Sequence, residues 1–330
     1  MALSEAVEVR SRDLGEAPLE CVVFPVDYPF LFDDKGFSAD WTSRRVSAQN
    51  IDQRYAPMLT RANSYIMEDI EEILRLETKT DLEAARKQAE WCGLRPGLRV
   101  LDAGCGTGLV TSILHEMILP GGEIVGLDNS EERIHFAQEK YGTSSSIHFR
   151  QLDLRDSIDG MGEFDLIWSR FFLEFYRLES PDIVKNLRDC LKPGGYLCLL
   201  DLDHNALNHY EMPVGMEEIL FKAVRKMEKE NNFDPYVGRK LYAYLYDLGF
   251  KNIEMDLRPH HLIYGEMSEK DLFNWGKKWE VAVRHAGDLI GEYPGGVVGL
   301  ASDFMHFFRD TRRFTYTPLI LCKGRKPHRI

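Results

Sequence analysis

The sequence predicts an α/β fold, a mostly parallel sheet with helices on both faces. Two observations carry this. From residue 82 to 258, short apolar runs alternate with stretches of helical periodicity. Within that alternation, one strand-like run leads into glycines at alternate positions, Gly104, Gly106 and Gly108, and then into a helical stretch. Consecutive strands separated by helices pair in parallel, because each crossover helix must cover a sheet face.

The glycine unit comes first in importance. Arg99, Val100 and Leu101 end a buried-strand pattern, and residues 109–118 read as a helix. Strand, glycine loop and helix together form the context in which a glycine pattern marks a ligand site. Glycine permits a tight turn and leaves no Cβ between chain and ligand. The helix N-terminus then presents free N–H groups.

The other elements follow in order. Residues 1–60 read as an N-terminal extension, in which the aromatic run 21–32 would pack as a strap or edge strand, with Pro25 and Pro29 confining it to an edge. Ile66, Ile70, Ile73 and Leu74 recur at helical spacing, and Thr80 with Glu83 fits a capping box for a second helix. Gly93, Pro96 and Gly97 close that helix. Strands are expected at 123–128, 146–150, 164–168 and 196–200. Asn129 or Ser130 would cap the helix after the second strand, and Lys192-Pro-Gly-Gly195 forms a turn before the fifth. Residues 251–257 read as strand six and 314–322 as strand seven, giving a seven-stranded sheet. The expected organisation is a core over 61–258, a helical lid insertion over 259–313, and 314–330 as last strand plus basic tail.

Composition narrows the function. The chain has 330 residues, 44% hydrophobic and 28% charged, as soluble globular proteins do. It lacks an apolar run long enough to span a membrane. Its start is polar rather than a leader, and its six cysteines form no CxxC pair. Reduced thiols and a cytoplasmic location are therefore expected, with no metal site. A net charge of −12 argues against broad contact with nucleic acid, leaving the basic tail 323–329 as the one feature that favours RNA.

Three aspartates stand at strand ends: Asp102, Asp128 and Asp153. In a parallel sheet they share the carboxyl edge, where ligands bind. A carboxylate at the end of strand two accepts hydrogen bonds from both ribose hydroxyls. An acid after strand three, next to apolar Leu154, suits an adenine amino group and ring.

At these residues the sequence resembles the class I S-adenosylmethionine-dependent methyltransferases, in the small-molecule group near the ubiquinone and menaquinone enzymes. The run 101–108, Leu-Asp-Ala-Gly-Cys-Gly-Thr-Gly, is similar to the family's first motif. Gly-Leu-Asp-Asn-Ser at 126–130, Leu-Asp-Leu at 152–154, the strand 164–169 and Leu-Lys-Pro-Gly-Gly at 191–195 follow in the family's order. The glycine spacing is GxGxG, not the GxGxxG of a nicotinamide enzyme.

The resemblance implies a Rossmann-like sheet, S-adenosylmethionine as cofactor and a small-molecule methyl acceptor. It implies that Gly104, Cys105, Gly106 and Gly108 touch the cofactor. Asp102 would orient the methionine ammonium, Asp128 and Asn129 would hold the ribose, and Asp153 with Leu154 the adenine. Ser169 and Arg170 would face the sulfonium end, Arg170 either on the methionine carboxylate or paired with Glu174. Arg75 would either reach the same carboxylate or lie on a solvated helix face, the second being the expectation. His204 and His209, after strand five, are the leading general-base candidates, with His260 and His261 next. The lid is expected to present Tyr264, Trp275, Trp279 or Phe304 to the acceptor. RNA or protein methylation, and a non-catalytic cofactor-binding module, are the alternatives.

Overall fold

The computed structural model describes residues 72–158 and 160–328. The expected extension 1–60, the strap 21–32 and the positions Ile66 and Ile70 lie outside the described residues.

Helix α1 (Glu72–Lys79) and helix α2 (Leu82–Cys92) precede the sheet. Asp81, not Thr80, caps α2, its carboxylate accepting from the N–H of Ala84. Thr80 instead donates its hydroxyl back to Leu76 O. Gly93 ends the helix at φ +88°, where a side chain would be strained.

The sheet has seven strands in the order β3-β2-β1-β4-β5-β7-β6. They are β1 (Arg99–Ala103), β2 (Glu123–Asp128), β3 (Ile147–Gln151), β4 (Phe164–Arg170), β5 (Leu191–Leu202), β6 (Lys251–Tyr264) and β7 (Phe314–Arg325). Strands β1 to β5 pair in parallel, and β7 runs antiparallel between β5 and β6. Helices α3 (Leu109–Ile118), α4 (Glu131–Tyr141), α5 (Ser180–Asp189) and α7 (Leu241–Asp247) cross between strands. The seven-stranded, mostly parallel sheet is the expected fold class. Lys192-Pro-Gly-Gly195 lies inside β5 and not before it, with a register shift against β4.

Period-two alternation divides the core. Val100, Leu166, Trp168, Cys198 and Leu200 face α2, α3 and α4. Their neighbours Leu101, Ile167, Leu197 and Leu199 face α5 and α7. A sheet buried on both faces reads as continuous apolar runs, which is why these strands stand out in the sequence.

Two excursions leave the carboxyl edge. Helix α6 (Val214–Glu230) follows β5, and helices α8 (Glu269–Ile290) and α9 (Gly296–Arg309) join β6 to β7. Ser268 caps α8 by accepting from Asp271 N at 3.1 Å. Met216, Trp275, Leu300, Phe304 and Phe308 give these helices an apolar core of their own, with Ile263 of β6. Strand β6 runs on to Tyr264, so the helical part begins after residue 264 and not at 259. Three basic residues of the described part of the tail bond internally. Lys323 donates to Trp91 O at 2.9 Å, Arg325 to Gly194 O and Lys326 to Leu191 O.

Candidate active site

A cleft opens at the carboxyl ends of β1, β2 and β4. The glycine loop is fastened to β2 first: the N–H groups of Gly104 and Cys105 both donate to Leu127 O, at 2.8 and 2.9 Å. All three glycines have positive φ, +81°, +54° and +81°. Their surroundings differ. A Cβ on Gly104 would come within 2.5 Å of Phe172, and one on Gly108 within 2.8 Å of Ala137 and Phe149. A Cβ on Gly106 would meet nothing closer than Leu76 Cδ1 at 3.5 Å. Positions 104 and 108 are therefore glycine for packing, and position 106 faces the cleft. Gly108 does not line it.

Asp128 organises the centre. Its Oδ2 accepts from Gly106 N at 3.0 Å, and its Oδ1 accepts from Ser130 N and from Arg133 Nη2 at 2.9 Å. Ser130 caps α4, which brings Arg133 one turn on to face the carboxylate. Asp102 lies deeper, accepting from the Thr111 hydroxyl at 2.6 Å. Burial, opposed by that hydrogen bond, pushes its carboxyl up to about 7. Asn129 donates to the Tyr176 hydroxyl at 3.2 Å. Asp102, Gly104, Cys105, Gly106, Asp128, Asn129 and Arg170 all line the cleft.

Three other expected residues are placed elsewhere. Asp153 is clamped by Arg155, with contacts down to 2.5 Å, which holds its carboxyl below the usual range. It does not line the cleft, nor does Leu154, which is buried in the core. Ser169 is buried, off the cleft wall, and its Oγ has no hydrogen-bond partner among the described residues. Sequence reasoning missed Phe172 and Tyr176, aromatic residues on the cleft wall just after β4. The aromatic run 171–176 was the available signal.

A second, larger cavity of about 400 Å³ adjoins the cleft, walled by α1, α6, α8, the end of β6 and Phe304 of α9. Arg170, Phe171, Glu174 and Phe175 belong to both walls. Arg170 donates to Gln88 Oε1 at 2.8 Å and lies 4.0 Å over the Phe171 ring. Burial lowers its guanidinium to about 10, so it stays charged at neutral pH. It does not pair with Glu174, which sits in a 3₁₀ turn and accepts from Asn205 at 2.8 Å. Arg75 is buried and lines this cavity, contrary to the expected solvated face, with α1 in contact with α8.

The histidines exchange rank. His204 and His209 are absent from both walls. His209 turns away because its segment bridges to β7: Nδ1 meets Thr315 Oγ1 at 2.9 Å, and the ring packs edge-on to Trp275, Phe307 and Phe308. Burial pulls its pKa down to about 4. His204 packs edge-on against Tyr236. His260 and His261, at the end of β6, do line the cavity, and His260 lies 4.6 Å from the Phe171 ring at the junction with the cleft. Burial holds both below the ordinary histidine range, so each is neutral at pH 7. Trp275, Trp279 and Phe304 line the cavity, whereas Tyr264 is exposed outside it.

Residues 100–195 match the family model described as a methyltransferase domain. A Synechococcus protein described as uncharacterized is 42% identical over 103 residues, 30% of this chain and 24% of its own length. A demethylmenaquinone methyltransferase from Staphylococcus carnosus is 28% identical over 177 residues, covering 49% of this chain and 71% of that enzyme. The crystal structure of the YcgJ protein from Bacillus subtilis aligns with a TM-score of 0.48 at 15% identity, covering 75% of this chain and 99% of that one. The family match falls on the glycine loop and its strands, so residues 100–195 carry a methyltransferase domain.

Proposed function

We propose that the chain transfers a methyl group from S-adenosylmethionine to a small molecule held in the larger cavity. The observation that carries this is the shared wall: Arg170, Phe171, Glu174 and Phe175 bound both the glycine-loop cleft and the cavity. A donor in one and an acceptor in the other would meet at that wall. The cavity's size is in the range of small-molecule sites, roughly 300–1,000 Å³.

The cleft residues fit the cofactor. Gly106 leaves space where a side chain would intrude, and Oδ2 of Asp128 keeps one lone pair beside the bond from Gly106, while Oδ1 is taken up by Ser130 and two N–H groups of Arg133. S-adenosylmethionine, when bound, supplies a methyl carbon already activated by a sulfonium. What remains for the chain is alignment and exclusion of water. Arg133 and Ser130 fix the Asp128 carboxylate before any ligand arrives. The helices α6 and α8 close the cavity on the side away from the sheet. The acceptor atom would bond to that methyl carbon, and the electron pair of the broken carbon–sulfur bond would stay on sulfur. A proton lost by the acceptor goes to a base, and His260 is the placed candidate, neutral at pH 7 and beside the shared wall.

The test is turnover of S-adenosylmethionine to S-adenosylhomocysteine across a small-molecule acceptor panel. The reading predicts acceptor-dependent product with kcat reduced about 10²–10⁴-fold in His260→Gln for an acceptor that must lose a proton. It predicts no comparable loss in His209→Gln. Release of product from folded RNA or protein substrates alone would contradict it.

A further inference from the structure

The whole protein carries −12, yet among the described residues the cavity is lined by five cationic side chains, Arg75, Lys79, Arg170, Lys270 and Lys278, against three carboxylates. Lys278 is the informative one. It projects from α8, donates to the amide oxygen of Asn205 at 3.0 Å and stands 4.7 Å from the Trp275 ring centroid. It makes no ion pair among the described residues. Asn205 in turn donates to Glu174, so a neutral amide separates the ammonium from the carboxylate. A buried ammonium has three donors and is costly to hold unless it is paired. One turn earlier on the same helix, Trp275 is 3% exposed and its indole N–H has no hydrogen-bond partner among the described residues. Buried donors without partners are exceptional and point to a group that arrives later.

The remaining walls are largely apolar, with Thr80, Gln88, Ser268 and Asn274 as neutral polar groups. Leu220, Ala223, Val224 and Met227 come from α6, and Trp279 with Phe304 forms a stacked pair at 5.4 Å. His260 and His261 add no charge at neutral pH. We propose that this cavity takes an acceptor with a flat apolar body and an anionic oxygen group, the anion seated on Lys278. The proposal rests on reading the cavity as the acceptor site and adds its chemical class. The pH dependence follows from what faces the ammonium: Glu174 from the 3₁₀ turn, Arg75 from α1, His260 and His261 from β6, and His209 from the segment after β5. Burial lowers Lys278 to about 8. It is therefore mostly charged at pH 7, and affinity for an anion falls as pH rises above 8.

Three probes of one shape test this by calorimetry, each run with and without saturating S-adenosylhomocysteine: 2-naphthoate, 2-naphthyl phosphate and the neutral 2-naphthamide. At least one anion should bind tenfold or more tighter than the amide. Which anion wins distinguishes a carboxylate from a phosphate ester. Lys278→Met should abolish the preference and Lys278→Arg should keep it, with melting curves showing each variant folded. Equal binding of the amide and both anions, binding of none at millimolar concentration, or a preference that survives in Lys278→Met would overturn the proposal. Failure of S-adenosylhomocysteine itself to bind would fall on the reading of the cleft, and the ligand-free titrations would still decide the anion.

Discussion

Two aspartates at the cleft do different work because their surroundings differ. Asp128 is held by a backbone N–H on each oxygen and by Arg133, so it is a fixed acceptor. Replacing it with alanine should weaken S-adenosylhomocysteine binding by about 1–3 kcal/mol, through lost charge-assisted hydrogen bonds. Unchanged affinity by calorimetry would remove it from the site. Asp102 is a poised group, raised to about 7 chiefly by burial. A ligand ammonium beside it would favour the ionised form, so binding would release a proton. Affinity for S-adenosylhomocysteine should rise between pH 6 and pH 8 as the carboxyl ionises, then level off. In Asp102→Asn the same series should be flat over that range, and a slope that persists would show that another group titrates.

At the scale of elements, the glycine loop separates packing from binding. Alanine at 104, 106 or 108 shares the cost of a left-handed backbone, about 1–2 kcal/mol each. Only at 104 and 108 does the new Cβ also collide with protein atoms. Gly104→Ala and Gly108→Ala should therefore melt lower than Gly106→Ala. Gly106→Val should lose cofactor binding, since its methyl groups enter the cleft. Equal melting losses with retained binding at 106 would contradict this division. In the sheet, Leu101 is fully buried between β1 and the α5 and α7 face, and Leu101→Ala should cost about 2–5 kcal/mol in denaturant unfolding.

The same contrast explains what was legible in the sequence. The parallel strands were, because both faces are buried and the apolar runs are continuous. Asp102, Asp128 and the loop were, because one strand–loop–helix unit contains them. The cavity was legible in part: Trp275, Trp279 and Phe304 were expected on it and line it, whereas its lysines were not read. Arg75 reaches it from α1, far in the chain from His260 on β6 and Lys278 on α8, and nothing local sets Arg75 apart from a solvated helix arginine. His209 and His260 look alike in sequence; only the bridge to Thr315 turns one into the core. Asp153 has the right neighbours in sequence, but Arg155, two residues on, claims its carboxylate.

For the molecule as a whole, the site is a junction of two layers. The sheet supplies the cleft, and α6, α8 and α9 share a second apolar cluster from which α6, α8 and Phe304 wall the cavity. Tyr264 and Leu262 stay largely exposed on β6. Hydrogen exchange with and without S-adenosylhomocysteine reads both layers in one measurement. The account predicts slowed exchange over 104–108 and at the start of α4, with α8 protected further only when an anionic acceptor is added. Unchanged exchange across the glycine loop at saturating S-adenosylhomocysteine, with protection elsewhere, would contradict it.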